Sequence, residues 1–300
     1  MTNFTNQYVP SIGLGTYNMS SEEAEFTTFH ALKHGYRHID TAAVYRNEDG
    51  VAKGVKTYLN DSDLKREDIF ITTKLWPGGL VKVDRIKDYT GTVKSFEKSL
   101  MRLNLDYIDL YLIHSPHGKT KRLEQWRALV DLKEAGKIKH IGVSNWGINH
   151  LSELKENDLP MPDANQIELH PWSQKPELVK FLRNEKIDII AYSSLVPLST
   201  WRHKDGENSK KTNEMHEIGL SENSPFKILA EKYDVTEAQF LLKWAVQNNY
   251  AVLPKSINIE RVKQNFELNF LIDQSDMEYI TTLDKGDSIT WEYGDPLKVK

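Results

Sequence analysis

Eight times along the chain a short run rich in apolar and β-branched residues gives way to a longer segment with helical spacing, and few folds accept that alternation. The runs are Ile12–Gly15, Arg37–Asp40, Ile69–Lys74, Tyr107–His114, Lys139–Ser144, Ala164–Glu168, Ile187–Tyr192 and Ala251–Pro254. Between them, Ser20-x-x-Glu23 is a capping box opening a helix that stops near Gly35, and Leu123–Ala135 is periodic and stops at Gly136. Further helices fit Glu48–Leu59, Thr92–Leu103, Ile148–Glu156, Pro176–Asn184, Pro225–Tyr233 and Thr236–Gln247. Such units build a parallel sheet with crossover helices. Eight of them close more naturally as a (β/α)8 TIM barrel than as an open sheet, although the pattern alone leaves a doubly wound sheet possible. The 300 residues suit one α/β barrel domain over residues 1–300, with two smaller domains as the alternative. Three segments fall outside the alternation: Phe4–Pro10, which fits a compressed N-terminal hairpin; Trp201–Glu222, a charged loop; and Asp284–Lys300, an extended C-terminal tail.

Composition narrows the function by exclusion. Thirty-nine Lys and Arg against 43 Asp and Glu give a net charge of −4 with the signs interspersed, so nothing calls for nucleic acid or an anionic membrane. No stretch is long and apolar enough to span a bilayer and no leader pattern opens the chain, so a soluble, cytoplasmic protein is the expectation. Asn3-Phe4-Thr5 and Asn60-Asp61-Ser62 match the glycosylation pattern but are read as idle for that reason. With no cysteine, disulfides, thiolate metal sites and a thiol nucleophile are excluded. His30 and His34 have the spacing of a helical metal pair but lack a third ligand, and His114 with His117 lacks carboxylate company, so no metal is expected.

In a barrel of this kind the chemistry lies at the C-terminal ends of the strands. Strand two closes on Asp40, strand three on Lys74 and strand four on His114, while Tyr45 follows Asp40 by five positions. An acid, an amine, an imidazole and a phenol therefore share one rim. Each alone is more often a turn former or a solvated group than a catalytic one; together they suggest a site.

The segments Gly35-Tyr-Arg-His-Ile-Asp-Thr-Ala-Ala-Val-Tyr45, Ile71-Thr-Thr-Lys-Leu-Trp76, Tyr107-Ile-Asp-Leu-Tyr-Leu-Ile-His-Ser-Pro116, Ile141-Gly-Val-Ser-Asn145, Asn165-Gln-Ile-Glu-Leu-His-Pro171 and Leu253-Pro-Lys-Ser256 resemble the aldo-keto reductase superfamily, from about Val9 to Val299. The resemblance implies NADPH-dependent reduction of small aldehydes or ketones, with Asp40, Tyr45, Lys74 and His114 as the catalytic tetrad. The chemistry is coherent on its own terms. Hydride addition to a carbonyl builds negative charge on oxygen, so a proton donor and a cation that supports its conjugate base are needed. Lys74 beside Tyr45 would make the phenol a better acid, Asp40 would compensate the buried lysine, and His114 would orient the carbonyl.

The hydride must come from a cofactor. Gly13-Leu-Gly15 lacks the rest of a dinucleotide fingerprint, Gly50-x-x-x-Gly54 lies within a helix, and Gly118-Lys-Thr120 lacks the glycine of a phosphate loop because position 113 is Ile. The other half of the rim instead offers Ser144, Asn145 and Gln166 for a carboxamide and Tyr192 to stack on an aromatic ring, with the Ser193 hydroxyl beside it. Lys255, Ser256 and Arg261, at a helix whose N-cap is Asn258, form an anion site suited to the 2′-phosphate of NADPH. By resemblance Gln264 and Asn265 meet the adenine, with Gln264 standing where an acidic residue is common, and Thr16 and Leu195 complete the cofactor set.

The substrate pocket departs more from the family. Ser115 follows His114 where many relatives carry Trp, and the loop after Trp76 is several residues longer than the common pattern. Tyr17, Trp76, Ser115, Trp146, Trp201, Trp291 and Tyr293 are the pocket candidates. Two rival functions remain at this point: a Schiff-base barrel aldolase using Lys74, and a non-catalytic NADPH-binding regulatory subunit. Oligomeric partners are left open.

Overall fold

The computed structural model describes residues 6–81, 83–198, 217–218, 221, 223–286, 290 and 295–300. Its strands are β1 (Leu14–Gly15), β2 (His38–Asp40), β3 (Phe70–Leu75), β4 (Ile108–Ile113), β5 (Ile138–Ser144), β6 (Ala164–Glu168), β7 (Asp188–Tyr192) and β8 (Ala251–Val252). They pair in chain order and all in parallel. Closure decides between the two architectures the pattern left open. Ile12 bridges Val252 in parallel, Gly13 N–H donates to the Val252 carbonyl at 2.8 Å, and Val252 N–H donates to that of Ser11 at 2.9 Å. The first and last strands of an open sheet would be edges; here they meet, and the sheet is a barrel.

The strands end within a residue or two of where the sequence puts them, and the differences have causes. Pro254 has no N–H to give a ladder, so β8 stops at Val252. Position 114 leaves β4, although its N–H still donates to the Leu75 carbonyl at 2.9 Å. Along β4 the side chains alternate: Leu110 and Leu112 join Val9, Ala164, Ile190 and Ala251 inside the barrel, while Tyr111 and Ile113 face the helical shell.

The helices are α1 (Ser21–Lys33), α2 (Glu48–Asn60), α3 (Tyr89–Leu103), α4 (Arg122–Glu134), α5 (Ile148–Glu156), α6 (Pro176–Asn184), α7 (Pro225–Lys232), α8 (Glu237–Gln247), α9 (Ile259–Phe266) and α10 (Gln274–Thr281). The Ser20–Glu23 box opens α1 with reciprocal bonds of 2.8 and 3.1 Å. Helix α3 starts earlier than its apolar period suggests because Asp88 caps it, accepting from Gly91 N–H at 2.8 Å. Gly50-x-x-x-Gly54 has a packing role: a Cβ at Gly50 would meet the Ser21 carbonyl oxygen at 2.0 Å, so α2 approaches α1 more closely than any side chain permits.

The expected N-terminal hairpin is absent from its described part. Residues 6–10 form no strand; the N–H groups of Gln7, Tyr8 and Val9 converge on the Asp188 carboxylate at 2.7, 2.8 and 3.0 Å. Three charge-assisted bonds from the floor of the barrel satisfy these donors without a partner strand. Phe4 and Thr5 of that segment, and almost all of Trp201–Glu222, lie outside the described residues. Among the described residues, no helix is long and apolar enough to cross a membrane.

Candidate active site

The parallel register sets the C-terminal ends of β2, β3 and β4 side by side, and with them Asp40, Lys74 and His114. Lys74 is completely buried. Its Nζ donates to Asp40 Oδ1 at 2.5 Å and to the Thr41 carbonyl at 2.8 Å, and it lies 5.0 Å from the centroid of the Tyr45 ring. Asp40 Oδ2 accepts from Gln166 Nε2 at 2.8 Å, which ties this group to β6 across the barrel. Burial pushes the Lys74 ammonium down from its ordinary range and Asp40 opposes that, with burial the larger effect.

Tyr45 sits in a turn of 3-10 helix over Ala43–Tyr45, its ring edge-on to His114 at 5.6 Å and to Tyr17 at 5.1 Å. Burial, and then the nearby Lys74 charge, hold the His114 imidazolium pKa well below its usual value, so the ring is neutral near pH 7. His114 Nδ1 is buried without a hydrogen-bond partner.

Two contributors here escape sequence reasoning. The Thr41 carbonyl that receives Lys74 is backbone and leaves no mark in a residue pattern. Asn47 precedes the acidic first turn of α2 and looks like an N-cap, yet its side chain makes no cap bond. It accepts from Thr41 Oγ1 at 2.8 Å and donates to the carbonyls of Thr16 and Met19 at 2.9 and 3.0 Å. The loop after β1 is thereby fastened to the loop that carries Tyr45.

The other half of the rim carries the groups read as a nicotinamide seat. Ser144 Oγ donates to the Gln166 carbonyl at 2.9 Å, and Asn145 Nδ2 reaches Ser144 Oγ at 3.0 Å and the His114 carbonyl at 3.2 Å. Tyr192 hydroxyl donates to Asn145 Oδ1 at 2.7 Å. Asn145 and Ser193 adopt left-handed backbone, with φ of 64° and 56°, where the chain turns off β5 and β7. Thr16 is buried at the mouth of the barrel, its Oγ1 donating to the Asp40 carbonyl at 3.0 Å, and Leu195 is half-buried in the loop after β7. The donors and acceptors suit a carboxamide, and Tyr192 supplies a ring face beside them.

At the far end, Asn258 caps α9, accepting from Arg261 N–H at 3.1 Å, and Ser256 Oγ accepts from Asn258 N–H at 3.1 Å. Lys255, Arg261 and Gln264 are exposed, Ser256 is half-buried and Asn265 is buried. Two cations and a hydroxyl at a helix N-terminus fit a phosphate.

The pocket candidates divide. Tyr17 and Trp76 stand beside Tyr45 and His114, with the Trp76 ring 5.7 Å from His114. Ser115 is fully buried and bonds His117 Nδ1 at 3.0 Å. Trp146 is corrected to a core residue: it is completely buried, packed against Trp126 and His150, and offers no surface to a substrate. Trp201, Trp291 and Tyr293 lie outside the described residues. Beside this rim, Glu168 at the end of β6 is buried and accepts from His170 Nε2 at 3.0 Å and Thr290 Oγ1 at 2.7 Å. Burial pushes the Glu168 carboxyl up, but these bonds and nearby positive charge outweigh it and hold the pKa at about 2. Among the described residues no group of His, Asp and Glu could hold a metal.

Residues 11–285 match the sequence model of a family described as the aldo/keto reductase family. The glyoxal reductase of Bacillus subtilis (strain 168) is 38% identical over 283 residues, covering 94% of this chain and 91% of that protein. An aldo-keto reductase enzyme from a Medee basin deep-sea metagenome library superposes with a TM-score of 0.81 at 37% identity, covering 96% of each chain. A Bombyx mori aldo-keto reductase solved in complex with NADP superposes at 0.80 with 29% identity, covering 96% of this chain and 95% of that one.

Proposed function

The chain belongs to the aldo/keto reductase family, and we propose that it uses NADPH to reduce small aldehydes or ketones to alcohols, with Tyr45 as general acid. Family membership carries the coarser statement, carbonyl reduction with a nicotinamide cofactor. The observation that carries the finer one is the buried Lys74 ammonium, held 2.5 Å from Asp40 and 5.0 Å from the Tyr45 ring centroid.

A nicotinamide held at this rim would supply the hydride. Tyr45 gives its phenolic proton to the carbonyl oxygen as negative charge develops there. A free phenol, with a pKa near ~10, is a reluctant acid, and the Lys74 cation stabilises the phenolate that remains. Asp40 opposes the burial that favours the neutral amine and holds Lys74 Nζ in place. His114, neutral at pH 7, orients the carbonyl by hydrogen bonding and adds no charge of its own. Ser144, Asn145 and Gln166 would hold the carboxamide, Tyr192 the ring face, and Lys255, Ser256 and Arg261 the 2′-phosphate; Thr16, Ser193, Leu195, Gln264 and Asn265 would complete the seat.

The two rivals fare less well. A Schiff-base nucleophile needs an accessible amine with a free lone pair, whereas Lys74 Nζ is buried and bonded to Asp40 and Thr41. A non-catalytic cofactor binder has no use for the Asp40, Tyr45, Lys74 and His114 group. The test follows loss of reduced-nicotinamide absorbance with glyoxal, methylglyoxal, α-keto esters and diketones. Turnover with NADPH, and no borohydride-trapped adduct on Lys74, are expected; folded protein that turns over none of them would sink the proposal.

A further inference from the structure

The loop between Trp76 and α3, read from the sequence as longer than the common pattern, closes around one indole. Lys87 N–H donates to the Pro77 carbonyl at 2.9 Å, and Gln125 Nε2 of α4 clamps the loop mouth by donating to the carbonyls of Pro77 and Lys87 at 3.2 and 2.8 Å. Gly78 and Gly79 take φ of 82° and 87°, and a Cβ on Gly79 would meet the His117 carbonyl oxygen at 2.4 Å, so the loop lies directly on the segment after β4. This path returns Asp84 to Trp76. Asp84 Oδ2 accepts from the Trp76 indole N–H at 2.7 Å, and the Asp84 backbone is fixed by bonds of 2.9 Å to Val81 and 3.0 Å from Gly79. Lys87 Nζ also donates to the Trp76 carbonyl, so the residue is held at both ends.

We propose that Asp84 is a specificity-determining positioning residue, which latches the Trp76 indole against His114 and so favours small carbonyl substrates over bulky ones. The proposal rests on reading this rim as a carbonyl-reduction site. An indole has one polar atom, its N–H, and Asp84 takes it. What remains toward His114, 5.7 Å away and nearly perpendicular at 84°, is a carbon wall that offers a substrate no hydrogen bond. A short-chain aldehyde fits beside the wall and leaves the latch closed. A bulky aryl ketone must swing the indole out and break a charge-assisted hydrogen bond to do so. Ser115 supplies no second ring to share this role, since its hydroxyl is buried against His117.

The test compares kcat/KM for methylglyoxal with that for a bulky aryl ketone. Asp84→Ala should lower the small-to-bulky ratio by about tenfold, the equivalent of one hydrogen bond to a charged group, mainly through KM. Asp84→Asn keeps an acceptor and should hold the ratio within about threefold of wild type. Trp76→Phe removes the N–H, so adding Asp84→Ala to it should move the ratio no further. NADPH affinity should be unchanged throughout. The indole N–H resonance, identified by its loss in Trp76→Phe, gives a readout independent of turnover: it should exchange slowly in wild type and fast in Asp84→Ala. An unchanged ratio in a folded, NADPH-binding Asp84→Ala protein overturns the proposal, as does an equal shift in the Trp76→Phe background. Wild-type protein that reduces neither probe overturns the carbonyl-reduction reading and this proposal with it; turnover of both isolates the latch as the point at issue.

Discussion

Removing one member of the Lys74–Asp40 pair should cost far more stability than its share of removing both. In Lys74→Met the Asp40 carboxylate keeps only the 2.8 Å bond from Gln166 among the bonds described above, and Asp40 is 3% exposed. In Asp40→Leu the ammonium keeps the Thr41 carbonyl, and Gln166 Nε2 loses its acceptor. A buried charge stranded in this way costs about 3–5 kcal/mol, so the two single variants sum to roughly 6–10 kcal/mol. The double variant strands no charge. It leaves Gln166 Nε2 and the Thr41 carbonyl short of a partner, at about 1–3 kcal/mol each, for a total near 2–6 kcal/mol. The coupling between the sites is then on the order of 4 kcal/mol, well beyond ordinary additivity error. Urea unfolding followed by far-UV circular dichroism and tryptophan fluorescence measures all four corners of the cycle. The two single variants and the double should all lack turnover, which separates the fold's need for charge balance from the chemistry's need for the ammonium. Costs that add to within about 0.5 kcal/mol would refute the reasoning, because the two charges would then not be compensating each other.

Three more outcomes follow from the same geometry. Glu168 has a pKa of about 2 against an ordinary 4.5, so its contribution to stability is present above pH 4.5 and is lost as pH falls toward 2. The stability gap between wild type and Glu168→Gln should therefore close as pH falls from 4.5 toward 2 in acid denaturation; a gap that widens across that window contradicts the assignment. His114 is held neutral, so kcat for reduction should show no limb near the ordinary imidazole value of 6.5, and an acid limb there in a pH–rate profile would count against a neutral orienting imidazole. Arg261→Ala should weaken NADPH roughly ten- to a hundredfold while leaving NADH within a few-fold, with the loss shrinking as salt rises; equal weakening in a titration of both cofactors would remove Arg261 from the phosphate site.

How far these features could be read in advance depended on how local their causes are. Asp40, Lys74 and His114 were visible because strand period and barrel topology together determine which residues reach the rim. Tyr45 was visible only as a fixed offset from Asp40, strengthened by the family resemblance. Asn47 was hidden by its position, since an asparagine before an acidic helix start already has a sufficient local explanation, and its real partners, Thr16, Met19 and Thr41, lie on two other turns. The N-terminal segment went wrong for a similar reason: its donors are satisfied by Asp188, about 180 residues away in sequence, and no local pattern encodes that. Trp146 follows β5 at the height of the rim, but its ring turns into the shell against Trp126, a matter of packing that spacing does not decide. The Asp84 bond to Trp76 depends on a loop path set by two glycines with positive φ and a clamp from α4.

Turnover and NADPH affinity measured on Tyr45→Phe test the central claim most directly. The substitution keeps the ring that packs against His114 and Tyr17 and removes only the phenolic hydroxyl. NADPH-dependent reduction of methylglyoxal should fall by at least about a hundredfold while NADPH affinity stays within about threefold of wild type. Near-normal turnover in a folded, NADPH-binding Tyr45→Phe protein would contradict the assignment of Tyr45 as the general acid.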